Sequence, residues 1–204
     1  MKIAHLQFKN QPDALLAIVS DDQALLVRDL RLSEPLNSLQ DLILDGPEIL
    51  ETIFEQISQA DTKLWQSLEH FTFLPAVINP PITLAVGLNY DEHASELKLD
   101  NDAGPVLFTL FPNSLSAHQG NVEIRPDIST EIDYEGELGV IIGKPAKDVT
   151  PEEALDYVFG YTITNDITAR DIQFREPQWS RCKSFDGFTP VGPWVVTADE
   201  IPNP

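Results

Sequence analysis

A single cysteine, Cys182, occurs in 204 residues, which excludes an intrachain disulfide and a cysteine-rich zinc site and makes a reducing, cytoplasmic setting the expectation. Positive charge is also scarce: 13 Lys and Arg stand against 33 Asp and Glu, for a formal net charge of -20. Nucleic acid and anionic membranes attract basic surfaces, so neither is expected as a partner. A small anionic substrate remains compatible, since a few well-placed Lys and Arg suffice to hold one. No apolar run is long enough to span a bilayer, and the segment from Met1 to Pro12 lacks the apolar core of a signal peptide. Internal repeats, a phosphate-cradling glycine loop and a nucleophile elbow are all missing. What is present is a hydrophobic content of 42 %, enough for the core of a globular protein of one ordinary domain or of a small domain joined to a larger one.

Short β-prone runs at Lys2 to Phe8, Ala14 to Ser20 and Ala24 to Val27, separated by Asn-Gln-Pro and Asp-Asp, predict a small meander. Two helices follow. One covers Ser38 to Leu44; the other, opened by Pro47, carries Ile49, Leu50, Ile53, Phe54 and Ile57 at helical spacing. From about Asp61 to Pro81 the chain reads as irregular and closes on Asn79-Pro80-Pro81, a restricted turn suited to a hinge. The expected division is a small N-terminal domain at 1–78 and a second domain at 79–204. Thr83 to Leu88 and Pro105 to Phe111 read as apolar strands, Thr150-Pro151-Glu152-Glu153 as a capped helix start, and Val158 to Thr164 as a strand. That strand delivers Asn165-Asp166 to a helical stretch from Ile167 to Gln173, so Asp166 stands at a strand-to-helix corner, either as a helix cap or as a ligand. Trp179 to Trp194 is dense in Gly, Pro and aromatics and reads as a fixed loop around Lys183.

The chemistry concentrates between Ile132 and Ile142. Apolar and polar positions alternate there, which on a strand puts Tyr134, Leu138, Val140 and Ile142 on one side and Asp133, Glu135 and Glu137 on the other. Residues two apart on a strand are about 6.5–7 Å apart at the backbone, close enough for Glu135 and Glu137 to turn onto one cation. Converging carboxylates raise one another's pKa unless a cation neutralises them. All-oxygen ligands favour Mg²⁺, with Mn²⁺ or Ca²⁺ as alternatives, and zinc is disfavoured for want of nitrogen and sulfur. A 2-oxo acid would fill two open positions with its carboxylate and keto oxygens. Arg170, Gln173 and Lys183 are candidates to grip its anionic ends, against the plainer readings of a salt bridge for Arg170 and a solvated charge for Lys183. On a short helix His93 and Glu96 would face the same way, as a water-activating pair or as ordinary surface.

Taken together, Asn89-Tyr90 with His93 and Glu96, Asp133-Tyr134-Glu135-Gly136-Glu137-Leu138, Asn165-Asp166-Ile167-Thr168-Ala169-Arg170-Asp171-Ile172-Gln173 and Lys183-Ser184-Phe185-Asp186 resemble the fumarylacetoacetate hydrolase family. The resemblance covers the chain from about Pro81 onward. It implies an α+β fold, a β-rich mixed roll or barrel behind a small N-terminal α+β domain, and usually a homodimer. It also implies a divalent-metal enzyme acting on 2-oxo or 2,4-dioxo acids. By the same resemblance Glu135, Glu137 and Asp166 bind the metal, His93 and Glu96 form a catalytic dyad on a mobile lid, Lys183 lies at the substrate, and Arg170 and Gln173 lie near it. Asp133 then falls outside the ligand set. Two departures stand out. Leu110 occupies a position where relatives commonly carry lysine, and relatives run on past the segment matching Asp199-Glu200-Ile201 into further strands and a Thr-Gly-Thr-Pro-type loop, which implies that the 204 residues belong to a longer polypeptide. Hydrolysis of a 2,4-dioxo acid is the first functional reading; a double-bond isomerase of hydroxyheptadienedioate type, an oxo-diacid decarboxylase and a non-catalytic metal-binding protein are the alternatives.

Overall fold

The computed structural model describes residues 1–87, 89 and 105–204. The fold is α+β and is built on a ten-stranded, mostly antiparallel sheet that branches and curls. Its first strands, β1 (Lys2–Phe8), β2 (Leu15–Ser20) and β3 (Gln23–Leu26), form the meander expected from the sequence. Every residue of β2 from Leu15 to Val19 is buried because both faces are covered. Leu16 and Ile18 pack with residues of the two helices, whereas Leu15, Ala17 and Val19 join Leu6, Leu26 and Phe71. This explains a continuous apolar run where a half-exposed strand would alternate.

The helices are α1 (Leu39–Asp45) and α2 (Pro47–Gln59). Ser38 Oγ accepts from the Asp41 backbone N–H, and Asp41 Oδ2 accepts from the Ser38 N–H, a reciprocal cap at the start of α1. Pro47 takes the first turn of α2, where its missing N–H costs nothing. Ile53 is fully buried, but Phe54, one position round the helix, is 67 % exposed, so the packed stripe is narrower than the spacing implied. Between 61 and 81, read as irregular, the chain contributes β4 (Trp65–Ser67) beside β3 and β5 (Phe71–Phe73) beside the end of β1. Three residues carry no readable period; pairing with an existing strand makes them strands.

His5 ties these parts together. It is fully buried on β1, its Nδ1–H donates to the Ala76 carbonyl at 3.0 Å, and its Nε2 accepts the Leu39 N–H at the start of α1 at 3.1 Å. Burial holds its pKa below 6.5, against smaller opposing contributions from the Ala76 and Pro75 backbone and from Asp41. Below about pH 6.5 the unfolded chain takes up a proton that the folded histidine resists, so this residue's contribution to stability is present above that pH and is lost on acidification. His5→Phe is expected to cost about 1–3 kcal/mol at pH 7, from the two backbone groups left unpaired, and to flatten the stability profile between pH 7 and 5; urea titrations at both values check it.

The second part of the chain begins with β6 (Leu84–Gly87) and β7 (Val106–Thr109), a two-stranded antiparallel sheet, followed by β8 (Leu115–Ala117). The expected acidic strand is broken in two. Its pieces are β9 (Ile132–Asp133) and β10 (Gly136–Ile142), with Tyr134 and Glu135 at the break. β10 pairs along its whole length with β11 (Val158–Asn165), while β9 pairs with the two-residue β12 (Thr168–Ala169) in a separate sheet. The chain therefore crosses from one sheet to the other at Glu135. Side chains of Leu138, Val140 and Ile142 are 48 %, 47 % and 56 % exposed, so the apolar side of β10 looks outward and the Glu137 side looks in.

After β12 come α3 (Arg170–Gln173), α4 (Ser180–Lys183), β13 (Thr189–Val191) and β14 (Val195–Thr197). The helical stretch expected from Ile167 starts only at Arg170, because Thr168 and Ala169 are held as strand by Asp133 and Ile132. Within the expected loop from Trp179 to Trp194, one helical turn presents Lys183. β11 is the hub: it pairs with β10 on one side and with β14 and β13 on the other. β14 in turn pairs with β1, so hydrogen bonding is continuous across residue 78. Among the described residues no helix is long and apolar enough to cross a membrane.

Candidate metal centre

The break between β9 and β10 is stabilised by neighbouring residues. Asn165 Oδ1 accepts the Glu135 N–H at 3.0 Å, and the Glu135 carbonyl accepts the Asp166 N–H at 2.9 Å. These bonds set Glu135 against the end of β11, so the carboxylates of Glu135, Glu137 and Asp166 offer oxygens all within 4.8 Å of one another. Asp166, 2 % exposed, is at a corner between β11 and β12; Glu137 follows on β10, one strand over.

Two cations serve these acids. Lys183 is 2 % exposed, with its ammonium on Glu135 Oε2 at 3.0 Å, on Thr168 Oγ1 at 2.9 Å and on Asp166 Oδ2. Arg170 spans Glu135 Oε1 at 2.6 Å and Asp133 Oδ2 at 2.9 Å, and donates to Gln173 Oε1 at 2.8 Å. Glu135, Glu137, Asp166, Lys183, Arg170 and Gln173 thus come together, while His93 and Glu96 lie outside the described residues. Asp133 stands behind Arg170, apart from the three converging acids. The Phe108 ring lies 5.3 Å from the Lys183 ammonium and packs with Ala85, Leu110 and Trp179; Leu110 itself is buried in that cluster.

Electrostatically the site is short of positive charge. Burial, then the charges of Asp166 and Glu135, push the Glu137 carboxyl up to about 7, with Lys183 opposing. Burial also raises Asp166, outweighing the Lys183 ammonium beside it. Asp166 Oδ1 is buried without a hydrogen-bond partner among the described residues, a costly condition for a carboxylate oxygen. Among the described residues four carboxylates, counting Asp133, face two cations, so with all of them ionised these groups carry about minus two, a charge that a divalent cation would balance. An orphaned buried oxygen, three converging carboxylates and an all-oxygen donor set fit a hard divalent ion.

Three contributors were not singled out from the sequence: Thr168, Asn165 and Phe108. Thr168 is two residues past Asp166, at the start of β12, and reading that stretch as helix hid its place beside the acids.

The fumarylacetoacetate (FAA) hydrolase C-terminal family model matches residues 83–204. The chain is 48 % identical over 119 residues to an uncharacterized protein of Methanocaldococcus jannaschii, covering 58 % of this chain and 50 % of that protein. It is 44 % identical over 130 residues to a Dictyostelium discoideum fumarylacetoacetate hydrolase domain-containing protein 2 homolog, covering 63 % and 42 %. The chain thus spans about half the length of the curated relatives it matches. Among solved structures, fumarylacetoacetate hydrolase from the psychrophile Exiguobacterium antarcticum superposes with a TM-score of 0.77 at 34 % identity, covering 98 % of this chain and 67 % of that one. The 2-hydroxyhepta-2,4-diene-1,7-dioate isomerase of Mycobacterium marinum superposes at 0.67 with 26 % identity, covering 97 % and 66 %. With the family model matching more than half of its residues and a fold that superposes on a fumarylacetoacetate hydrolase, the chain belongs to the fumarylacetoacetate hydrolase family.

Proposed function

We propose that this chain carries the divalent-metal centre of an enzyme that hydrolyses a carbon-carbon bond in a 2,4-dioxo acid. The observation that carries the reading is the convergence of Glu135, Glu137 and Asp166, with one buried Asp166 oxygen left without a hydrogen-bond partner among the described residues. Mg²⁺ is the first choice of ion, with Mn²⁺ or Ca²⁺ as alternatives. An ion held by these three residues would supply positive charge against the negative charge that develops on the substrate's ketone oxygen.

The protein's own residues do the rest. Arg170, braced by Asp133 and Gln173, fixes the carboxylate of Glu135. Lys183 presents its ammonium from a buried position next to Asp166, where a substrate oxygen would meet it. Gln173 accepts from Arg170 through Oε1, and its amide N–H would be a donor to the substrate. His93, oriented by Glu96, takes the proton of a water as its oxygen bonds to the distal carbonyl. The bond between that carbonyl carbon and the next carbon breaks, its electron pair stays with the pyruvate-side fragment, and a proton is returned there. A homodimer in solution belongs to the same proposal.

A second reading, an isomerase or decarboxylase using the same centre without attack by water, is favoured by the likeness to the Mycobacterium marinum isomerase. The purified protein, loaded with Mg²⁺ or Mn²⁺, should be assayed against an acylpyruvate, a hydroxyheptadienedioate and oxaloacetate. Metal-dependent hydrolysis of the acylpyruvate is the expected result. Turnover of only one of the other two would transfer the assignment to the second reading, and metal binding with no turnover would leave a non-catalytic metal-binding protein.

A further inference from the structure

We infer that Thr168 is a positioning residue for Lys183, giving the ammonium a neutral acceptor to hold when a divalent cation claims the carboxylates. The inference rests on the metal reading above. Thr168 is fully buried, and its hydroxyl lies at the junction of the centre. Oγ1 accepts from the Lys183 ammonium at 2.9 Å and lies 3.0 Å from the Asp166 carbonyl and 3.3 Å from Glu135 Oε1. A hydroxyl has one proton to donate, so it serves either the Asp166 carbonyl or the Glu135 carboxylate while its lone pair takes the lysine.

Three of the site's groups therefore compete for the same space. The ammonium now sits on Glu135 Oε2 and Asp166 Oδ2, two of the carboxylates that would bind the ion. A divalent cation and an ammonium cannot share those oxygens without strong like-charge repulsion in a buried setting. Lys183 must give up at least one carboxylate as the ion enters, and at 2 % exposure its ammonium then needs another partner inside the site. Of its three hydrogen-bond partners among the described residues only the threonine hydroxyl is uncharged and outside the converging set. It is held in place by β12, whose pairing Thr168↔Asp133 links it to β9. The hydroxyl thus keeps the ammonium near the substrate position while leaving the acids to the metal. Threonine fits the position because it is fully buried there and its oxygen accepts from the lysine.

Thr168→Val keeps the branched shape and removes the acceptor; Thr168→Ser keeps the acceptor and removes the methyl. Affinity for Mn²⁺, measured by titration calorimetry on protein whose fold is checked by circular dichroism, is expected to fall about tenfold in Thr168→Val and to stay within about threefold in Thr168→Ser. Stability without metal should follow the methyl instead, so a purely packing role would reverse the order of the two variants in affinity. In a Lys183→Gln background, where a neutral amide replaces the ammonium, adding Thr168→Val should change affinity by no more than about twofold. Unchanged Mn²⁺ affinity in Thr168→Val overturns the inference, as does a tenfold loss that persists in the Lys183→Gln background. Wild-type protein that binds no Mn²⁺ overturns the metal reading along with it.

Discussion

Lys183→Met is expected to destabilise the metal-free protein by about 3–5 kcal/mol, and Mn²⁺ is expected to restore most of that loss. The side chain is 2 % exposed and neutralises Glu135 and Asp166 together. Methionine matches its length and volume, so packing changes little and the electrostatic consequence dominates. Without the ammonium, two carboxylates already crowded by Glu137 are left in a buried site where one Asp166 oxygen has no hydrogen-bond partner among the described residues. Such a pair costs more to break than its formation contributes, because the remaining charge keeps its desolvation penalty. A divalent ion supplies the missing charge, and at one hundred times its dissociation constant it adds about 2.7 kcal/mol to whichever form binds it. Urea unfolding of wild type and variant, with EDTA and with Mn²⁺, reads both effects. Equal stability of the two proteins in EDTA would show that Lys183 is not the counter-charge of this site.

The sequence made the acids legible and left their arrangement hidden. Alternation alone put Glu135 and Glu137 on one side, and that relation holds. It did not reveal the break at Tyr134 and Glu135, because the break is imposed by two different partner strands, β12 for Asp133 and β11 for Gly136 onward. Local pattern carries no record of such partners. The same holds for Lys183: in a loop of Gly, Pro and aromatics it reads either as a grip on substrate or as a solvated charge, with no sign of its burial. Its burial comes from acids 17 and 48 residues away in the chain. Arg170 shows the converse. Its plain reading as a salt bridge is what its contacts with Asp133 and Glu135 show, and any grip on substrate would be in addition to that bracing. The meander was readable because β-prone runs and the turn residues between them are short-range features. The three-residue strands β4 and β5 were not, since only pairing defines them. Asp166 joined Glu135 and Glu137 as a ligand through the family's motifs, whereas Thr168 takes its place only through the pairing of β12 with β9.

Glu137→Gln should move stability and metal binding in opposite directions. In the folded, metal-free protein burial and the neighbouring charges raise this carboxyl from 4.5 to about 7. Between those values the unfolded chain has released its proton while the folded glutamic acid retains it, so the folded state loses stability as pH rises and carries the full penalty above about pH 7. Glutamine has no proton to lose and escapes that penalty. The full shift overstates the gain at a half-buried group where solvent screens the charges, so about 1–2 kcal/mol at pH 8 is expected, falling toward zero near pH 4. The same substitution removes one of three carboxylate ligands, and Mn²⁺ affinity should drop by on the order of 100-fold or more. Thermal unfolding in EDTA at pH 5 and 8, paired with calorimetry at pH 8, separates the two effects. A variant both less stable in EDTA and unaltered in Mn²⁺ affinity would place Glu137 outside the centre; a stabilised variant that no longer binds would show strain in the free site that the metal relieves, the trade of stability for function expected of a built ligand cluster.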